Sequence, residues 1–212
     1  MDTEYGERLE IALILIAIAG YVDANGFITL SNLFVSFMSG NSTQFAVHAA
    51  EGTWNEAAPA GAIVALFLGG VMAGRLLARL RKSRRRPIIL IVEAAVLGFA
   101  QLGAGSRLIS VIPLVLAMGI QNAAIHRIGD TKLSVTYVTG TLVHAGEKFV
   151  DGVFDSTVRW SWLPFFLLWV GMVFGGAVGT VLNLQLGRQA LIVPAALLTI
   201  LAIVSAVLLP EE

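Results

Sequence analysis

The chain has 212 residues, 57% of them apolar and 13% charged, with fourteen basic and fourteen acidic side chains and no cysteine. A soluble domain carries about 25% charged residues, so this composition excludes an ordinary water-exposed globule and requires lipid as solvent. Without cysteine there are no disulfides, thiolate metal sites or cysteine nucleophiles, and the balanced charge provides no bulk field to select nucleic acid as a partner.

A spanning helix takes roughly 20 apolar residues. The first span runs from about Leu9 to Leu30 with Asp23 inside it, and its acidic leader (Asp2, Glu4, Glu7, Glu10) distinguishes it from a signal peptide, whose leader is basic. The intervals 57–74, 108–126, 160–187 and 189–210 contain no Asp, Glu, Lys or Arg, and 87–103 is apolar except for Glu93 and Gln101. The prediction is an all-α polytopic membrane protein with six transmembrane helices in a single integral membrane domain, 1–212.

Lysine and arginine set the orientation. Arg75, Arg79, Arg81, Lys82 and Arg84 to Arg86 follow the second span, whereas the loop from Glu51 to Glu56 before it has no basic residue. With both termini cytoplasmic, twelve of the fourteen basic residues lie inside and only Arg107 and Arg188 outside. Trp160, Trp162 and Trp169 then mark the inner interface.

The sequence repeats internally. Leu33-Phe-Val-Ser-Phe-Met-Ser-Gly-Asn41 aligns without gaps on Leu133-Ser-Val-Thr-Tyr-Val-Thr-Gly-Thr141, and Gly20 with Asp23-Ala24 corresponds to Gly119 with Asn122-Ala123. Gly70-x-x-x-Gly74 resembles Gly175-x-x-x-Gly179, and Leu90 to Leu97 resembles Leu191 to Leu198. Two repeats of three spans, about 9–106 and 107–210, force the second to enter the membrane from the opposite side. Such inverted repeats recur in secondary transporters, whose sites form where interrupted helices of the two halves meet near mid-membrane. The matched broken or re-entrant segments here are Asp23 to Gln44 and Asn122 to His144.

Asp23 within a span costs roughly 2.5–3.5 kcal/mol on insertion scales and therefore needs a partner or a watery cavity. With Asn25, Ser39, Asn41, Thr43 and Gln44 it forms the first set of candidate substrate-binding residues; the blander account places Asp23 at the outer interface and 31–50 in an interfacial helix. Gln121, Asn122, Thr139, Thr141 and His144 form the second set. His144, Glu147, Lys148 and Asp151 share a helical face, which suits either a proton relay or metal ligation at His144 and Glu147, or a solvated salt-bridge network. Glu93 lies roughly 10 Å into its helix, where a carboxyl is either protonated or paired, and it is the candidate proton-coupling group; the plainer alternative is a hydrogen-bonded structural carboxyl. The two Gly-x-x-x-Gly pairs suit close helix packing.

Gly20-Tyr-Val-Asp-Ala-x-Gly-Phe27 followed by Phe34-Val-Ser-Phe-Met-Ser-Gly-Asn41-Ser-Thr43 resembles the YoaK family of small bacterial membrane proteins, also called DUF1275, across essentially the whole chain. Members show a similar Gly-Tyr-x-Asp-Ala and Met-Thr-Gly-Asn pattern, in which Ser39 here replaces the threonine. The resemblance implies a bacterial inner-membrane protein and supplies no mechanism. The expected function is a secondary transporter or permease for a small polar or ionic solute. A channel-like pore and a non-transporting scaffold or helper subunit are the alternatives. No enzyme activity, cofactor or metal is expected, and the few spans leave a homodimer open.

Overall fold

The computed structural model describes residues 3–30, 32–80, 84–102, 107–124 and 138–208. Arg81, Lys82, His126, Arg127, Lys132 and the repeat segment 133–137 lie outside them, as do the side chains of Arg8 and Arg107. The described residues are helical nearly throughout. In chain order they form α1 (Thr3–Thr29), α2 (Met38–Ala50), α3 (Trp54–Leu80), α4 (Arg85–Leu102), α5 (Arg107–Gln121), α6 (Val138–Phe154), α7 (Leu163–Leu186) and α8 (Ile192–Leu208). The short α2 and α6 fall on the two segments read as broken.

Three stretches are long and apolar enough to cross a membrane: Leu9–Thr29, Trp54–Leu80 and Ser156–Val207. The last spans 52 residues, far more than a bilayer of about 30 Å accommodates in one pass. It is divided at Gly187, whose φ of 56° ends α7 before a 3-10 turn leads into α8. Six spans were expected; α4, which begins at Arg85 and contains Glu93, and the shorter apolar stretch Val111–Gln121 are not among the three.

Burial divides the helices into a centre and a periphery. The first span is 67% buried, the α3 span only 22%, and side chains such as Leu76, Phe174, Leu184 and Ile203 stand more than half exposed. A soluble chain would bury such a surface; lipid makes it unnecessary.

Small residues determine which helices cross. The most extensive helix pair is α1 with α7, followed by α3 with α5 and α4 with α8. A Cβ on Gly175 would overlap the carbonyl oxygen of Ala17, and one on Gly70 would fall 2.5 Å from that of Leu116. Likewise a Cβ on Gly20 would strike Met172 O, and one on Gly119 would strike Phe67 O. With no hydrophobic drive between helices in lipid, close backbone approach of this kind holds them together, and the packing role predicted for the two Gly-x-x-x-Gly pairs is what they perform.

Candidate functional site

The first broken segment is held by its own polar groups. Asp23, 5% exposed, accepts the N–H of Val35 at 2.7 Å and of Ser36 at 2.8 Å through Oδ1. Asn41, fully buried, closes the same loop: its Oδ1 accepts Phe34 N–H at 3.0 Å, and its Nδ2 donates to Phe34 O at 2.6 Å. Gln44 Nε2 donates to Asn32 O at 3.1 Å, and Asn32 takes the left-handed φ of 72° that Asn tolerates. Loop 32–37 is therefore clamped between α1 and α2 by side chains that satisfy its buried backbone groups. The partner that Asp23 needed is backbone.

At its far end α2 closes on Gly52, whose φ is 75°. Thr53 N–H donates to His48 O and Gly52 N–H to Ala49 O, the paired bonds of a Schellman turn. That turn brings the end of α2 against the start of α3. His48 Nδ1 there lies 3.1 Å from Glu56 Oε2. Gln44, His48 and Glu56 line a cavity of about 460 Å³ between α2, α3, α5 and the stretch that follows α1.

Asn25 has a different task. Its Nδ2 donates to Tyr21 O at 2.8 Å and to Gly179 O at 3.2 Å, while its Oδ1 accepts Asn183 Nδ2 at 2.6 Å, tying α1 to α7. Tyr21 Oη adds a bond to Ala190 O at 2.7 Å. Ser39 and Thr43 are exposed, and the Thr43 hydroxyl is bonded back to Ser39 O.

In the second half, Gln121 is fully buried and donates through Nε2 to Leu15 O at 3.1 Å, whereas its Oε1 has no partner among the described residues. Asn122, in the turn after α5, donates to Met118 O 3.0 Å away. Thr139 is exposed, and the buried Thr141 hydroxyl is bonded to Val138 O. His144 Nδ1 lies 3.2 Å from Glu147 Oε2 on a partly exposed face, with its ring against Phe165. No cluster of three metal-binding side chains occurs among the described residues.

Among the described residues the two broken segments do not meet; 125–137, most of the second, lie outside them. α2 rests on α3 and α6 on α7, and α2 and α6 are not packed as a pair. The crossings set by Gly20, Gly70, Gly119 and Gly175 join α1 to α7 and α3 to α5 and involve neither α2 nor α6.

Glu93 stands apart from every other candidate. It is fully buried in α4, and neither carboxyl oxygen has a hydrogen-bond partner among the described residues. Gln121 Oε1 and the buried Ser205 hydroxyl are likewise unpartnered there; they belong to α5 and α8, the two helices on which α4 packs most. Sequence reasoning missed Ser205 and Asn183 because a single serine or asparagine in an apolar run carries no signal of what it faces.

A family model described as a protein of unknown function, DUF1275, matches residues 11–204. A relative from Rhizobium meliloti (strain 1021), the UPF0700 transmembrane protein RA0705, is 31% identical over 195 residues, covering 88% of this chain and 83% of that protein. No solved structure matches.

Proposed function

The chain belongs to the DUF1275 family of integral membrane proteins, and on that premise we propose that it is a proton-coupled secondary transporter of a small polar or ionic solute in the bacterial inner membrane. The observation that carries this reading is Glu93, a fully buried carboxyl without a partner on either oxygen among the described residues. An ionisable group inside a membrane bundle is costly and marks ion or substrate pathways. Its position in α4, between helices that also hold unpartnered Gln121 and Ser205 atoms, suits a group that exchanges a proton or engages a solute.

Two inverted repeats, α1–α4 and α5–α8, are part of the proposal. Their support is the pairing of the crossings. Gly70 and Gly175 are 105 residues apart, as are Phe67 and Met172, while Ala17 and Leu116 are 99 apart, as are Gly20 and Gly119. The contacts of Gly175 on Ala17 and Gly20 on Met172 thus recur as Gly70 on Leu116 and Gly119 on Phe67. Burial recurs too, with Ile89, Leu90, Leu97 and Ala100 of α4 matched by Ala190, Leu191, Leu198 and Leu201. Three spans and one short helix per half would place both termini in the cytoplasm, on the side of Arg79 and Arg84 to Arg86.

The separation of α2 and α6 favours a second reading, a non-transporting membrane scaffold. Proteoliposomes holding an internal pH dye discriminate the two. Solute-driven proton entry that Glu93→Gln abolishes, in a variant that still folds, is the expected result. Absence of any Glu93-dependent flux across amines, amino acids, carboxylates and sugars would leave the scaffold.

A further inference from the structure

The cavity beside α2 has chemistry that selects a ligand. Its volume of about 460 Å³ lies within the range of small-molecule sites. Leu33, Ile63, Leu66 and Val111 give it apolar walls, and Gln44, His48, Asn55 and Glu56 are its polar lining. That lining is rich in acceptors. Glu56 supplies a carboxylate, and Gln44, having committed its amide N–H to Asn32 O, keeps its carbonyl oxygen as an acceptor. Pro59 also lines the cavity and has no N–H, so the carbonyl of Asn55 four residues earlier lacks its regular helical donor. A second carboxylate, Glu51, lies 3.6 Å from His48 Nδ1.

No lysine or arginine is among the described residues lining the cavity; the side chain of Arg107, one turn before Val111 at the start of α5, lies outside the described ones. The geometry points to a binding site for an amphipathic organic cation, with the ammonium at the acceptor-rich lining and the hydrocarbon part against the apolar wall. As a binding site this stands on the cavity itself; as the substrate class of the transporter it rests on the reading above.

The test is calorimetric titration of the purified full chain in detergent with three similar ligands of different charge: 2-phenylethylammonium, 2-phenylethanol and 3-phenylpropionate. The ammonium binds and the other two bind at least tenfold more weakly. Glu56→Gln weakens the ammonium about fivefold, the upper scale of an exposed ion pair, with an unchanged melting temperature. Ala62→Trp, which fills the chamber, abolishes binding. Equal affinity for alcohol and ammonium, or ammonium binding that survives both substitutions unchanged, overturns the site. Ammonium binding that is weakened by Glu56→Gln and abolished by Ala62→Trp supports it, and if no Glu93-dependent amine flux then accompanies binding, the transport reading alone fails. Glu93-dependent flux of another solute with no ammonium binding overturns the site and leaves transport standing.

Discussion

Gly175 lies so close to Ala17 that the helix carrying one cannot hold a side chain where it meets the other. The crossing of α1 and α7 is the most extensive helix pair among the described residues, and it depends on this missing Cβ. Gly175→Ala should destabilise the protein by about 1–3 kcal/mol, the cost of overpacking a tight site. Gly69→Ala, with open space around its Cβ, should be neutral or slightly stabilising. Thermal unfolding in detergent compares them, and equal melting temperatures would contradict the crossing.

Asp23 is tested by what remains when it is shortened. Asp23→Ala leaves the buried N–H groups of Val35 and Ser36 without their acceptor, at about 1–3 kcal/mol for each unsatisfied group. Asp23→Asn keeps one acceptor oxygen and should cost less. Limited proteolysis within 32–37 should therefore accelerate strongly in the alanine variant and weakly in the asparagine variant; the reverse order would remove the clamp.

Asn25 and Asn183 form a hydrogen bond across the same crossing at 2.6 Å. A double-mutant cycle with Asn25→Ala and Asn183→Ala should give a coupling of about 0.6 kcal/mol and below about 1.7, the scale measured for polar pairs in membrane bundles. Strictly additive losses would mean that the bond contributes nothing.

Asp155, at the exposed turn between α6 and α7, is held below its ordinary carboxyl range, first by the Thr157 hydroxyl and then by the Thr157 N–H. A depressed folded value means the turn gains stability above the ordinary value of 3.8 and loses it as pH falls through the lower folded one. Thr157→Val should move the Asp155 titration upward in a carboxyl-resolved NMR experiment; an unchanged titration would deny the hydroxyl its part.

Much of the membrane character was legible in the residues. Apolar runs, an acidic α2–α3 turn and a basic α3–α4 side follow from composition and spacing alone, because lipid rejects charge wherever it falls. The glycines at 20, 70, 119 and 175 were visible as a recurrence, and their packing role follows from the lack of a side chain. Asp23 and Glu93 stood out for the same reason, as charges in spans.

Only the tertiary structure decided what these residues touch. Asp23 and Glu93 looked alike as buried carboxyls, yet one accepts two backbone N–H groups from a loop twelve and thirteen residues on, and the other has no partner among the described residues. An apolar helix in lipid carries no stripe that names its neighbour, since every face is hydrophobic. Which helix crosses which is settled by where backbones approach closely, over separations such as Ala17 to Gly175 that no local pattern encodes. The sequence determined that the chain lives in a membrane and which few polar groups are costly there; three-dimensional packing determined which of those costs is met by a hydrogen bond and which is not.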